Sequence, residues 1–526
     1  MVRLHHHVRT HLRNGTVALA ALAAVVWLAL AAAPATPRAV ASQMSWSRPD
    51  APHALDKLGP FVPPIFGPNV RANTDTTSYG QHEPGLAVSR TDNDVVFAAA
   101  KDYRDGNIKR VWIYGSTDGG STWPVQLHMP GLPPTVNESD PVVMARDDGR
   151  IYVSCLTTGN EGIFITWTDD NGTTWQPSVP IIQNQPVLQD KDWFAIDNNP
   201  ASPFHHRMYM MYAPGANYVV EHHSTDGGLT WSPRQQIGGS NTEYTYPVVA
   251  SDGTVYNFMM YNWGNGQIGT VQMTRSTDGG ATWSTPSTVA MADQAGYHIR
   301  PSDQFRFFSI ISAGVDPLSQ GPNHTLYVSW TDDRAFNTTG TDVLYVKSTD
   351  GGATWGQPIN LAQVSGRPEC PGCDNITPMM TVGQDGKVHA FWLDRADDPA
   401  PPAGTGLFHS WYTSSTDGGA TWDPATRVST EPQNLNVGFP PGSGDAAGDY
   451  WGLDVSGDSV YVAWNDTRYN QQQDILVSRG IMGGPTATPT PTQSTPPPTN
   501  TTAPSATATT AQPTNTPTQT WAPTWT

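Results

Sequence analysis

Four short stretches place an acid just ahead of an arginine: Asp102-Tyr103-Arg104, Asp332-Asp333-Arg334, Asp394-Arg395 and Asp466-Thr467-Arg468. Guanidinium forks gathered in one cleft would hold a carboxylate or sulfate bidentately, as binding of an acidic sugar requires. The same residues could instead lock the chain to itself, each arginine taking its own acid or a neighbour's. A second set comprises Glu83, Asp140, Asp192, Glu243, Asp374 and Asp449, with Tyr246 and Tyr450 nearby. Paired carboxyls can hydrolyse a glycoside, one as acid and one as base or nucleophile. Such acids could equally hold Ca2+ through carboxylates and carbonyls, or bond only to backbone N–H groups. No set of metal ligands stands out by spacing. The pairs His205-His206 and His222-His223 lack a third ligand nearby in sequence and read as loop residues.

These residues are scattered along the chain, so a repeated architecture must gather them. One octapeptide supplies the repeat: Ser116 to Trp123, Thr168 to Trp175, Ser224 to Trp231, Ser276 to Trp283, Ser348 to Trp355 and Ser415 to Trp422. Its central acids are Asp118, Asp170, Asp226, Asp278, Asp350 and Asp417, spaced by 52, 56, 52, 72 and 67 residues, the scale of a propeller blade. Within each copy the Asp carboxylate can accept backbone N–H bonds in a tight turn. Glycine supplies the positive φ, and the tryptophan can fold back onto the sheet.

Alternating segments such as Arg110 to Tyr114, Gly162 to Thr166 and Asp342 to Val346 precede these corners. Ahead of them lie seven apolar runs: Val95 to Ala100, Ile151 to Cys155, Met208 to Tyr212, Val255 to Tyr261, Leu326 to Trp330, Val388 to Trp392 and Val460 to Trp464. The fold class is therefore all-β, a propeller of four-stranded blades; seven blades fit the runs, and six would require one unit to be an insertion. The last unit lacks an outer strand, which the N-terminal segment around Val70 to Thr74 could supply, removing the exposed edge. In such a ring, residues at the starts of the inner strands and the ends of the second strands converge on one face, and both acid sets fall there.

Composition agrees and excludes other classes. Charged residues make up only 14% of the 526-residue chain, while Gly (49) and Pro (47) are abundant, which disfavours long helices. A formal net charge of −18 repels nucleic acid. Phosphate-binding loops, HExxH and G-x-S-x-G are absent. Arg3, Arg9 and Arg13, the apolar run Val17 to Ala33 and the small residues Ala39-Val40-Ala41 read as an export signal over 1–41, with no later membrane-spanning segment. The remaining division is an N-terminal segment over 42–80, the propeller over 81–480 and a Thr/Pro-rich disordered tail over 485–526. The expected protein is secreted or at the cell surface, and monomeric. Cys370-Pro-Gly-Cys373 can close a small disulfide in an oxidising compartment.

The octapeptides resemble the S-x-D-x-G-x-x-W Asp box, or BNR repeat, of bacterial sialidases, over roughly residues 80 to 480. Glu83-Pro84, the segment Asp190 to Asp197 and Gly448-Asp449-Tyr450 resemble a broader group of secreted sialidase-like proteins. The resemblance implies a propeller acting on extracellular glycans or glycoproteins through arginines that grip the substrate carboxylate, a tyrosine nucleophile partnered by Glu, and an Asp acid/base. On that basis Asp102 is the expected acid/base, and Glu243 with Tyr450 or Tyr246 the nucleophile system. Arg104, Arg334, Arg395 and Arg468 are the expected anion grips. No cofactor is expected, with Ca2+ at the acid ring left open as the alternative. The other implied activity class is a non-catalytic surface propeller that binds glycan or protein. The Arg-Ile-Pro motif of sialidases is absent where Gln81 to Val88 stands, with Ile299-Arg300-Pro301 elsewhere.

Overall fold

A computed structural model describes residues 64–483, except 107, 134, 335–339, 369–371, 399–404 and 441–444. The segments expected to be an export signal and a tail lie outside the described residues, as does Cys370; Cys373 is disulfide-bonded, and Cys155 is a buried free thiol.

Seven antiparallel sheets of four or five strands form a seven-bladed propeller, so none of the seven units is an insertion. In blades 1 to 6 the chain runs outward from an inner strand. These inner strands are Gln81–Val88, Asn137–Ala145, Gln189–Ile196, Thr242–Val249, Ile311–Val315 and Asn375–Val382. Blade 7 is built from Gly452–Ser456, Ser459–Asp466 and Asp474–Ile481, completed by the N-terminal segment. Its pairing is shorter than Val70 to Thr74 and comes in two pieces, with Ile65 opposite Ile481 and Val70 opposite Val477. Beyond Arg71, side-chain bonds take over: Asn73 donates to Asp474 (2.7 Å) and Gln81 (2.8 Å) and accepts from the Ile475 N–H (2.8 Å). Among the described residues the helix Leu361–Val364 is a single turn, and no helix is long and apolar enough to cross a membrane.

The strands are apolar on both faces because each sheet is sandwiched between two others. The core therefore lies in layers between neighbouring blades; one such layer joins Val88 and Tyr114 of blade 1 to Tyr461 and Val477 of blade 7. The octapeptides form corners at the outer ends of the third strands. Ser116 donates to Asp118 Oδ1 (2.7 Å) and accepts from Gly120 N–H (2.9 Å), while Thr122 donates to Asp118 through N–H (2.9 Å) and hydroxyl (2.6 Å). The corner around Asp278 repeats this scheme. Asn171 holds the left-handed position (φ 56°) that glycine takes in the other copies. Trp123 is buried, but the corresponding tryptophans are only half-buried.

Candidate functional site

The inner strands are not regular. Five carry a bulge, between His82 and Gly85, Ser139 and Val142, Asp190 and Trp193, Glu243 and Tyr246, and Ile376 and Met379. In each, one non-glycine residue is left-handed: Glu83 (φ 59°), Asp140 (51°), Lys191 (52°), Tyr244 (56°) and Thr377 (52°). Such a residue costs on the order of 1–3 kcal/mol and persists only where its surroundings fix it, and bulges re-aim side chains. Here the bulges of blades 1 to 4 turn charged and phenolic groups toward the hub. In three of the five, proline follows the left-handed residue, as Glu83-Pro84, Asp140-Pro141 and Thr377-Pro378.

The hub is a buried network of acids and cations drawn from several blades. Lys191 of blade 3 contacts Asp449, ahead of blade 7, and lies 3.4 Å from Asp140 of blade 2. Lys101 lies 3.5 Å from Glu83, and the Glu83 side chain is only 2% exposed. His82 faces Glu83 at 3.7 Å and bonds Tyr103 at 3.1 Å. Arg306 brings a guanidinium whose buried Nε makes no hydrogen bond, near Asp449 and Glu83. Oxygens of Glu243 (Oε2) and Asp192 (Oδ1) are likewise buried without a hydrogen-bond partner.

Burial and crowding separate these acids. Burial, reinforced by Asp140 and Asp449, raises Glu83 to about 7 against the pull of Lys101. Burial and Asp140 raise Asp190 to about 6. Asp192 and Glu243 are pushed well above the usual carboxyl range, chiefly by burial. Burial also opposes ionisation of Asp140, but Lys191 and Lys101 outweigh it and hold that carboxyl below its usual range. The hub thus sets Glu83, which keeps its proton up to about pH 7, beside the ionised Asp140, the division of labour that acid–base chemistry uses.

Trp193 stacks on Tyr246 (4.7 Å) and meets Tyr450 edge-on (5.3 Å). These rings floor a small space bordered by Asp140, Lys191, Asp192 and Tyr244, with room for about 20 Å³. On the other side of Trp193 and Tyr246 the inner strands enclose a channel of about 310 Å³, lined by Leu86, Val142, Val248 and Trp451.

The structure brings Glu243 and Tyr450 to the hub, Glu243 within the field of Lys191 and Tyr450 with its ring 5.9 Å from the Lys191 ammonium. The Tyr450 hydroxyl donates to the Pro141 carbonyl (3.1 Å), and burial pushes its pKa well up. Tyr246 stands one layer below, in the aromatic floor. Asp102 is not part of this network: it accepts from the Arg104 N–H (2.8 Å), Arg104 Nε (2.9 Å) and Tyr114 (2.9 Å). Arg104 also lies over Trp112 at 3.8 Å. Arg334 and Arg468 fold back in the same way onto Asp332 and Asp466, whose other oxygens accept from Trp330 and Trp464. Blade 6 differs, because Arg367 takes Asp394 (3.0 Å) and lies over Trp411 (3.5 Å). Arg395 is thereby released to Asp303 (2.8 Å) and Asp374 (3.3 Å), and Asp374 also accepts both arms of Arg300. The four arginines expected as grips are thus engaged in ion pairs with acids of the chain, the locking alternative that their spacing also allowed.

Among the described residues Lys101, Lys191, Arg306 and the less buried Lys109 bring positive charge to the hub, and neither charge pattern nor spacing singled them out. The recurrence of proline after a polar residue at equivalent points of three inner strands was the available signal. Within the ring of acids Lys191 lies between Asp140 and Asp449. Three metal-ligating atoms do come within 4.8 Å of one another at Asp147, His205 and His206, away from the hub.

No family model matches the chain. Over 166 residues it is 29% identical to a sialidase of Micromonospora viridifaciens, a match covering 27% of this chain and 24% of that protein, about a quarter of the relative's length. Among solved structures it is similar to a point mutant of the NanB sialidase of Streptococcus pneumoniae, at 11% identity and a TM-score of 0.43, covering 64% of this chain and 67% of that one. It is also similar to the intramolecular trans-sialidase of Ruminococcus gnavus, at 14% identity and a TM-score of 0.39, covering 78% and 96% of the two chains.

Proposed function

We propose that the protein is a sialidase-like glycoside hydrolase that acts on glycans outside the cell, with its reacting groups at the propeller hub. One observation carries this reading: Glu83, held neutral up to about pH 7, stands in one electrostatic network with Asp140, held ionised by Lys191 and Lys101. In this proposal the acid role falls to Glu83 rather than Asp102, whose lone pairs Arg104 and Tyr114 already occupy. Asp140 is the base or nucleophile, and Glu243 and Tyr450 position the sugar. Lys101, Lys191 and Arg306 take the place of the arginine grips for an anionic substituent. The test is turnover of a panel of aryl glycosides, sialosides included, by the purified protein. Glu83→Gln and Asp140→Asn should each lower the rate by about 10²–10⁴, the usual contribution of a positioned acid or base.

A second reading, a surface propeller that binds glycan or protein without turnover, is favoured by the room of about 20 Å³ beside Lys191, which is close to one water. Binding on a glycan array with no hydrolysis of any member of the panel would decide for it.

A further inference from the structure

Blades 2 and 3 also meet on the face opposite the hub network, through the turns that follow their inner strands. The blade 2 turn carries Asp147, and the longer blade 3 connection carries His205 and His206. Consecutive side chains of an extended chain point apart. His206 is left-handed (φ 68°), however, and the two imidazoles lie side by side with centroids 3.7 Å apart. Both Nε2 atoms reach the same carboxylate, His205 to Asp147 Oδ2 at 2.7 Å and His206 to Oδ1 at 2.5 Å.

The backbone that carries Asp147 is itself held in place. The Asp147 N–H donates to Asn198 Oδ1 (3.1 Å), and Asn198 Nδ2 donates to the Ala145 carbonyl (3.0 Å). Neighbouring cations are matched by their own acids, Arg146 by Asp148 and Arg150 by Asp169. The three side chains are 26–34% exposed, so the cluster opens to solvent on one side.

We propose that Asp147, His205 and His206 form a binding site for a divalent transition-metal ion of the zinc class, with the remaining coordination position open to water. Two imidazole nitrogens and a carboxylate are the donor set that zinc-type ions take, whereas Ca2+ and Mg2+ prefer all-oxygen shells. Tetrahedral bonds of about 2.0 Å put ligand atoms about 3.3 Å apart, so the contacts seen here need open by less than about 1 Å to admit the ion. Once bound, the ion would bridge blades 2 and 3.

The test is titration of the full chain with Zn2+, followed calorimetrically, alongside His205→Ala/His206→Gly and Asp147→Asn. Glycine suits the left-handed backbone at 206. The run His5-His6-His7 offers ions a second location common to the wild type and both variants, so the readout is the difference between them. The wild type should take up one more equivalent than the double-histidine variant, and Asp147→Asn should weaken that equivalent at least tenfold. Co2+ should give the wild type a visible ligand-field band that the double variant lacks. Equal uptake by wild type and double variant, or an unchanged affinity in Asp147→Asn, overturns the proposal. The isosteric Asp147→Asn arm decides the matter if the double variant does not fold.

Discussion

Replacing Glu83 with glutamine keeps the shape of the protonated carboxyl and removes its titration. The unfolded chain ionises Glu83 near 4.5, whereas the folded hub holds its proton to about 7. Between those values unfolding releases a proton, so the wild type loses stability as pH rises, and the loss is complete once pH exceeds the folded value. A shift of that size corresponds to about 3 kcal/mol. Glu83→Gln should therefore match the wild type at pH 4, gain on it steadily through pH 5 to 7, and exceed it by about 3 kcal/mol at pH 8.5 and above. Urea unfolding curves at half-unit pH intervals read the difference directly. A difference that is flat across pH, or one in which the glutamine protein is weaker at pH 8.5 than at pH 5, would refute the claim that the hub holds this acid neutral. The stability measurement needs no substrate, so it is separable from the hydrolysis assay, in which the same proton predicts a rate that falls above about pH 7.

Arg395→Met should lower stability by about 3–5 kcal/mol, because it strips one cation from the fully buried group of Arg300, Asp303 and Asp374; a loss under about 1 kcal/mol in the same urea assay would count against that network as the lock between blades 5 and 6. Asn73→Ala should cost about 2–4 kcal/mol, since it leaves the Ile475 N–H and Asp474 without their partner at the seam that closes the ring. An unchanged unfolding midpoint would show that the seam does not unfold with the rest. The Cys155 thiol, its pKa raised well above normal by burial, should react with a disulfide reagent only after unfolding, and rapid labelling of the native protein would contradict its placement.

Much of the fold was legible because its signals are local. The Ser–Asp–Gly–Thr bonds of each corner close within the octapeptide itself, so six copies announced six turns without reference to anything distant. The two-sided burial of a blade strand likewise appears as an uninterrupted run such as Val96 to Ala100, and counting those runs gave seven blades. Even the seam was foreseeable from the missing outer strand, although not that Asn73 would finish it with side-chain bonds. The candidate site was legible only in part. Glu83, Asp140, Asp192, Glu243, Asp449 and Tyr450 could be placed at the hub end of their strands from position alone.

Their partners could not, because pairing depends on which way each side chain leaves its strand and what stands across the axis. Asp102 and Lys101 are adjacent, yet one closes on Arg104 while the other turns to Glu83. Asp394 and Arg395 look like the other acid–arginine pairs, until Arg367 arrives from another segment and displaces the arginine. His205 and His206 lacked a third ligand within reach along the chain; Asp147 supplies it from the next blade. The repeating unit and the blade count could be read from the chain alone, since each is written in contacts a few residues apart, and the ring of acids followed from their position at the starts of the inner strands. Which acids stay neutral, which cations face the hub and where two histidines meet a carboxylate emerged only on folding, since burial and Coulomb energy depend on distance in space rather than along the chain.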